Sequence, residues 1–167
     1  MPKDFSQLSY RPCVGIVLFN AQGLVWVGHR IPKWEKDGAG NLWQMPQGGI
    51  DEGESPHEAA FRELEEETGT RNAEIIGECP RWLTYDLPEE ALGIGLKGKY
   101  RGQKQRWFAM RFLGSDDEFD IDAPAGAKAE FDAWDWVPLN EAAKRIVAFK
   151  RPIYEEVVKE FAKLAKG

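Results

Sequence analysis

The sequence predicts an α+β fold, drawn either as that general class or as an α/β/α sandwich around a mixed sheet. Three observations carry this reading. Apolar and β-branched runs fill the N-terminal part, one strong helix signal stands at 56–68, and two helical patterns close the chain after a second group of strands. At 167 residues the chain suits a single domain, 1–167, with a core of its own. No internal repeat or low-complexity tract divides it.

Taken in order, Arg11 to Asn20 (RPCVGIVLFN) is apolar and β-branched and reads as a buried strand. Asn20-Ala21-Gln22-Gly23 is a turn, and Leu24 to His29 alternates its side chains, so the two runs form a hairpin. Ile31 to Asn41, with Pro32, Gly38 and Gly40 among charges, is a surface loop. Leu42 to Pro46 is a short strand feeding a glycine turn, Gln47-Gly48-Gly49. Beyond the helix, Ala73 to Leu83 is a strand interrupted at Pro80, and Leu87 to Arg101 is a glycine-rich loop. Gln105 to Leu113 is a strand, Ser115 to Lys128 is acidic and turn-rich, and Ala133 to Val137 is a strand ending at Pro138. Helices over about 140–148 and 152–165 follow. In the second, Ile153, Val157, Phe161 and Leu164 make a core-facing stripe at helical spacing.

The 56–68 helix has consistent ends. Ser55 is placed as N-cap, Pro56 at the first helical position and Glu58 three residues after the cap, a capping box with proline in its preferred slot. Gly69 supplies a left-handed stop. Helical residues advance by about 100°, so Glu63, Glu66 and Glu67 share one arc and Ala60, Phe61, Leu64 and Thr68 the adjacent, core-facing one. The carboxylate arc is expected to face solvent. Carboxylates at i, i+3 and i+4 repel, and a divalent cation removes that repulsion. Hard oxygen donors suit magnesium or manganese. A plain solvated acidic face is the other reading.

Composition narrows the classes. Hydrophobic content of 43% with 30% charged residues is that of a soluble globular protein, with no apolar run near the ~20 residues of a membrane span. The N-terminus MPKDFSQLSYRP has no apolar signal segment. Cys13 and Cys79 match no metal spacing, and a buried free Cys13 fits a reducing cytoplasm. The net charge of −6 argues against broad attraction to nucleic acid, so no DNA partner is expected. Between Ala91 and Ser115, however, there is no acidic residue, while Lys97, Lys99, Arg101, Lys104, Arg106 and Arg111 fall there. A basic stretch beside an acidic metal site suits a polyphosphate substrate; a solvated basic loop is the alternative.

The segment Gly48 to Thr70, GGIDEGESPHEAAFRELEEETGT, resembles the Nudix box. Gly48, Glu54, Arg62, Glu63, Leu64, Glu66, Glu67 and Gly69 all stand at the required spacing, and only Thr70 departs, where the family prefers an aliphatic residue. Tyr10-Arg11-Pro12, Trp43-Gln44, Trp82-Leu83-Thr84-Tyr85, Gly102-Gln103-Lys104-Gln105-Arg106-Trp107-Phe108, Glu130-Phe131-Asp132 and Phe149-Lys150-Arg151 extend the likeness to one subgroup. That subgroup holds bacterial RNA pyrophosphohydrolases and asymmetric dinucleoside tetraphosphate hydrolases. The resemblance implies the Nudix fold, with a mixed β-sheet between the metal helix and the C-terminal helices.

It also implies a cytoplasmic, metal-dependent phosphoanhydride hydrolase, with Mg2+ or Mn2+ as cofactor and a role in mRNA decay. By the family pattern Glu63, Glu66 and Glu67 are metal ligands, a Gly48 carbonyl is a further candidate, and Arg62 orients a neighbouring carboxylate such as Glu54. Glu130 is a candidate ligand or base, with Glu66 as rival base. Arg11, Arg30, Lys104 and Arg106 are candidates for phosphate contacts. Val147 and Phe149 could hold a base, and Tyr85 could line the same cleft. The first substrate reading is 5′-triphosphorylated RNA, losing pyrophosphate. The second is diadenosine tetraphosphate, giving ATP and AMP. A non-catalytic nucleotide- or RNA-end-binding module is the third, and the intact carboxylate set argues against it.

Overall fold

The computed structural model describes residues 7–32, 42–88, 99–122 and 129–166. The greater part of the expected 31–41 and 87–101 loops, Lys97, and the second half of the acidic 115–128 segment lie outside the described residues. Among the described residues there are eight strands: β1 Ser9–Phe19, β2 Val25–Arg30, β3 Trp43–Gln44, β4 Gln47–Gly49, β5 Ala73–Glu78, β6 Leu83–Asp86, β7 Tyr100–Phe112 and β8 Phe131–Val137. Three helices accompany them: α1 Pro56–Thr68, α2 Leu139–Arg145 and α3 Arg151–Phe161.

The strands make one sheet in the order β3-β2-β1-β7-β5, with β4 on β1, β6 on β7 and β8 on β2. β1 and β7 run parallel from Ser9–Tyr100 to Phe19–Arg111, and the other pairs are antiparallel. The sheet is therefore mixed, as the element order predicts. The expected break at Pro80 separates β5 from β6, and β7 starts five residues before the run that sequence alone marks as a strand.

Side chains alternate along β1 and β7, so each strand feeds two cores. Val14, Ile16, Leu18, Phe108 and Met110 pack with Ala59, Ala60 and Leu64 of α1. Val17, Trp107 and Ala109 pack with Ile153, Tyr154, Val157 and Phe161 of α3. The α3 stripe is thus core, each large side chain contributing roughly 1.5–3 kcal/mol by burial. Tyr154 joins it, its hydroxyl accepting the Met45 N–H at 2.9 Å.

The ends of α1 are built as expected. Ser55 Oγ accepts the Glu58 N–H at 3.1 Å, Pro56 opens the helix, and Gly69 ends it at φ 86°. The departure at Thr70 has a local reason. Its side chain donates to Glu118 Oε1 at 3.1 Å and accepts the Asn72 N–H at 3.1 Å, fastening the helix exit to the turn at Asp116–Glu118.

Candidate active site

The site forms where β4 meets α1. Gly48 lies opposite Val14 of β1, and its backbone rests on the Glu63 carboxylate: a Cβ there would stand 2.0 Å from Glu63 Cδ. The expected glycine turn at 47–49 is a short strand instead, and among the described residues the glycines with positive φ are Gly23, Gly53 and Gly69. Gly48 is therefore required by close approach and not by turn geometry.

Arg62 organises the acidic groups. Its Nε and Nη2 each donate to Glu54 at 2.8 Å, a two-pronged grip on one carboxylate. Nη2 also donates to the Gly49 carbonyl at 2.8 Å, tying α1 to β4. Nη1 reaches Glu63 Oε1 at 2.8 Å and Glu66 Oε2 at 3.1 Å. The sequence expectation that Arg62 holds Glu54 matches this geometry. The expectation of a solvent-facing carboxylate arc does not. Glu67 is 5% exposed and the Glu63 side chain 12%, while Glu66 keeps 41% of its side chain in solvent. The packing of α1 against β4 turns one edge of the arc inward.

Burial is the largest influence on Glu63 and pushes its pKa up to about 7, against the lowering effect of Arg62. Glu54 moves the other way, because the Arg62 hydrogen bond favours its charged form. Among the described residues no three His, Cys, Asp or Glu side chains close on one point, and the Arg62 guanidinium reaches between Glu63 and Glu66. The donor set nevertheless fits a hard divalent cation. Glu63 and Glu66 share one guanidinium, Glu63 lies against the Gly48 backbone, their oxygens are all hard donors, and a cation would offset the cost of ionising buried Glu63.

A cationic and aromatic lining faces this edge. The Arg11 guanidinium lies over Gly49, with Nη2 2.4 Å from the position of a Cβ. The buried Cys13 thiol is raised to about 11 by burial, with Arg11 and Lys150 acting to lower it and Glu63 to raise it, so all three charges lie within electrostatic reach of it. Tyr85 is buried, its pKa raised by burial and lowered by Arg30 and Arg11. Its ring centroid is 5.5 Å from that of half-buried Phe149, and Val147 packs nearby in the same core. Glu130 sits just before β8, its carbonyl accepting the Ile31 N–H at 2.9 Å beside Arg30.

Lys104 and Arg106 are not brought together with this group. They stand on the α1 face of β7, stacked on Trp82 at 4.9 and 5.4 Å, and Arg106 pairs with Glu78 at 2.6 Å. Residues to which the sequence alone assigns no role do join the lining. Lys150 is buried with its Nζ 5.6 Å from the Tyr85 ring, and Gln103 and Gln105 are buried on the same face of β7 as Trp107. A lysine beside Phe149 and two glutamines alternating with cations were the available signals.

The NUDIX domain profile matches residues 9–157. The chain belongs to the NUDIX family. It is 57% identical over 162 residues to the RNA pyrophosphohydrolase of Rhizobium meliloti, covering 95% of this chain and 97% of that protein. It is 58% identical over 161 residues to the RNA pyrophosphohydrolase of Agrobacterium fabrum, covering 95% of each. The structure of the E. coli dihydroneopterin triphosphate pyrophosphohydrolase superposes with a TM-score of 0.66 over 90% of this chain and 98% of that one, at 19% identity, and shares the fold. As a Nudix hydrolase the chain is an enzyme acting on pyrophosphate bonds, in a family that uses divalent metals.

Proposed function

We propose that this enzyme removes pyrophosphate from 5′-triphosphorylated RNA, leaving a 5′-monophosphate. The observation that carries the reading is the near full-length match, at 57% and 58% identity, to proteins named RNA pyrophosphohydrolase. The site accords with it: a carboxylate edge that fits a cation faces a lining of Arg11, Arg30, Tyr85 and Phe149.

Glu63, Glu66, Glu67 and the Gly48 carbonyl would hold the cation, with Mg2+ as the working ion. Bound there, it would supply electrostatic stabilisation to the phosphoryl oxygens and the leaving pyrophosphate. Arg62 keeps Glu54, Glu63 and Gly49 in register, so the carboxylates are aimed before substrate arrives. Arg11 and Arg30 receive the phosphate chain. Phe149, backed by Tyr85 and Val147, offers a ring face to a base. Glu130 or the more exposed Glu66 takes the proton of the attacking water. Lys104 and Arg106 stand on the α1 face of β7 against Trp82, with Arg106 paired to Glu78. The activity belongs to mRNA decay, and two buried free cysteines accord with a reducing cytoplasm.

Diadenosine tetraphosphate is the second reading, because it presents the same phosphate run with a base beside it. Rates on triphosphorylated RNA and on diadenosine tetraphosphate, measured side by side with magnesium, separate the two. A higher kcat/KM on RNA supports the proposal; a higher value on the dinucleotide replaces it with the second reading.

A further inference from the structure

β7 carries two kinds of polar side chain on its two faces. Lys104 and Arg106 stand on the α1 face, while Gln103 and Gln105 stand on the other, 5% and 1% exposed. A buried amide is costly unless its hydrogen bonds are met. Gln105 meets all of its own. Trp107 Nε1 donates to Gln105 Oε1 at 2.8 Å. An indole N–H can only donate, so this bond decides which end of the Gln105 amide is oxygen. The NH2 group then faces away from Trp107 and donates to Gln103 Oε1 at 2.7 Å and Gln47 Oε1 at 3.5 Å.

The same logic passes orientation one residue further. With its oxygen turned toward Gln105, Gln103 directs its two N–H groups away from it. No described residue accepts them. Gln103 is flanked in the sheet by Arg11 of β1 and Tyr85 of β6, both in the substrate lining. The anchor is rigid. Trp107 is fully buried, its indole lies against Gly15 where a Cβ would be 2.4 Å away, and it meets Tyr154 edge-on at 5.5 Å.

We infer that Gln103 is a substrate-binding residue whose amide N–H donors engage an oxygen of the substrate's phosphate chain beside Arg11, with Gln105 and Trp107 as positioning residues that hold it in that orientation. The inference rests on the reading of this cleft as a polyphosphate site. A neutral, pre-aimed donor adds direction to the charge that Arg11 supplies.

Gln103→Glu separates this role from a purely structural one. The carboxylate still offers an acceptor to Gln105, so the buried network stays satisfied, but its outward atom becomes an anionic oxygen facing phosphate. Gln103→Leu removes the donor without adding charge. Two readouts are needed: the Kd for inorganic tripolyphosphate with calcium present, and kcat and KM on triphosphorylated RNA with magnesium. Gln103→Leu should weaken tripolyphosphate binding about 10–100-fold, the range for a hydrogen bond to a charged group. Gln103→Glu should weaken it further, with affinity read on the folded fraction because the site is buried. On RNA the loss should fall mainly on KM for Gln103→Leu. Trp107→Phe, which frees the Gln105 amide to turn, should give a smaller loss of the same kind.

Gln103→Glu binding tripolyphosphate as tightly as the unmodified protein would overturn the inference and leave the amides a structural network. A loss of affinity that only tracks the folded fraction would overturn it equally. Failure of the unmodified protein to hydrolyse RNA would overturn the functional reading instead, while the tripolyphosphate measurement still decides the role of Gln103.

Discussion

Glu63 is asked to be both buried and ionised. Burial favours its protonated form and carries its pKa from the ordinary 4.5 to about 7 in the metal-free protein. Below about pH 4.5 the group is protonated in folded and unfolded chains alike, and its full contribution is present. As pH rises through 4.5 to 7 the unfolded chain releases the proton first, and stability falls by on the order of 3 kcal/mol from this group. A cation reverses the balance, since it binds the ionised form. Apparent magnesium affinity should therefore weaken by up to about tenfold per pH unit below pH 7. Calorimetric titrations across pH 5.5 to 8 check this, and a flat affinity would contradict it. Glu67→Gln keeps shape and removes charge from the same edge. Turnover should fall about 10²–10³-fold, by analogy with the loss of one electrostatic stabiliser. Because Glu67 is 5% exposed, its thermal midpoint must be followed alongside kinetics.

At the scale of elements, α1 and β4 act as one unit, joined by Arg62 and by the Gly48–Glu63 contact. Gly48→Ala would push a methyl into the Glu63 carboxylate. Displacing that ligand should lower kcat about 100-fold, the effect expected of a misplacement near 1 Å, while circular dichroism stays native. Gly69→Ala tests the other end. Its φ of 86° and the Asp120 backbone 2.9 Å from a Cβ leave no room for a side chain, so unfolding in urea should show a loss of about 1–2 kcal/mol or more. Metal affinity measured on the folded fraction should change little. The helix ends were legible in the sequence because caps are local: Ser55, Pro56 and Gly69 act within one turn. The inward tilt of Glu67 was not, because it depends on β4 packing against α1.

Across the whole molecule, the sheet places a carboxylate edge on one element and a cationic, aromatic lining on several others. Strand runs, the α3 stripe and the mixed α+β class were readable from periodicity. The parallel β1–β7 ladder was not, since it joins Arg11 to Gln103 across most of the chain. That ladder decides which face of β7 belongs to the cleft. The family resemblance ranks Lys104 and Arg106 with Arg11 as phosphate contacts, and their period-2 alternation with Gln103 and Gln105 puts them on the α1 face of β7.

On the proposed function, cleavage of triphosphorylated RNA ends at this site releases pyrophosphate. The most direct measurement uses RNA labelled at the γ-phosphate, incubated with the enzyme and magnesium, with and without EDTA, and resolves the released label. Label should emerge as pyrophosphate together with 5′-monophosphorylated RNA, and EDTA should abolish release until magnesium is restored in excess. Label emerging as orthophosphate, or release unaffected by EDTA, would contradict it.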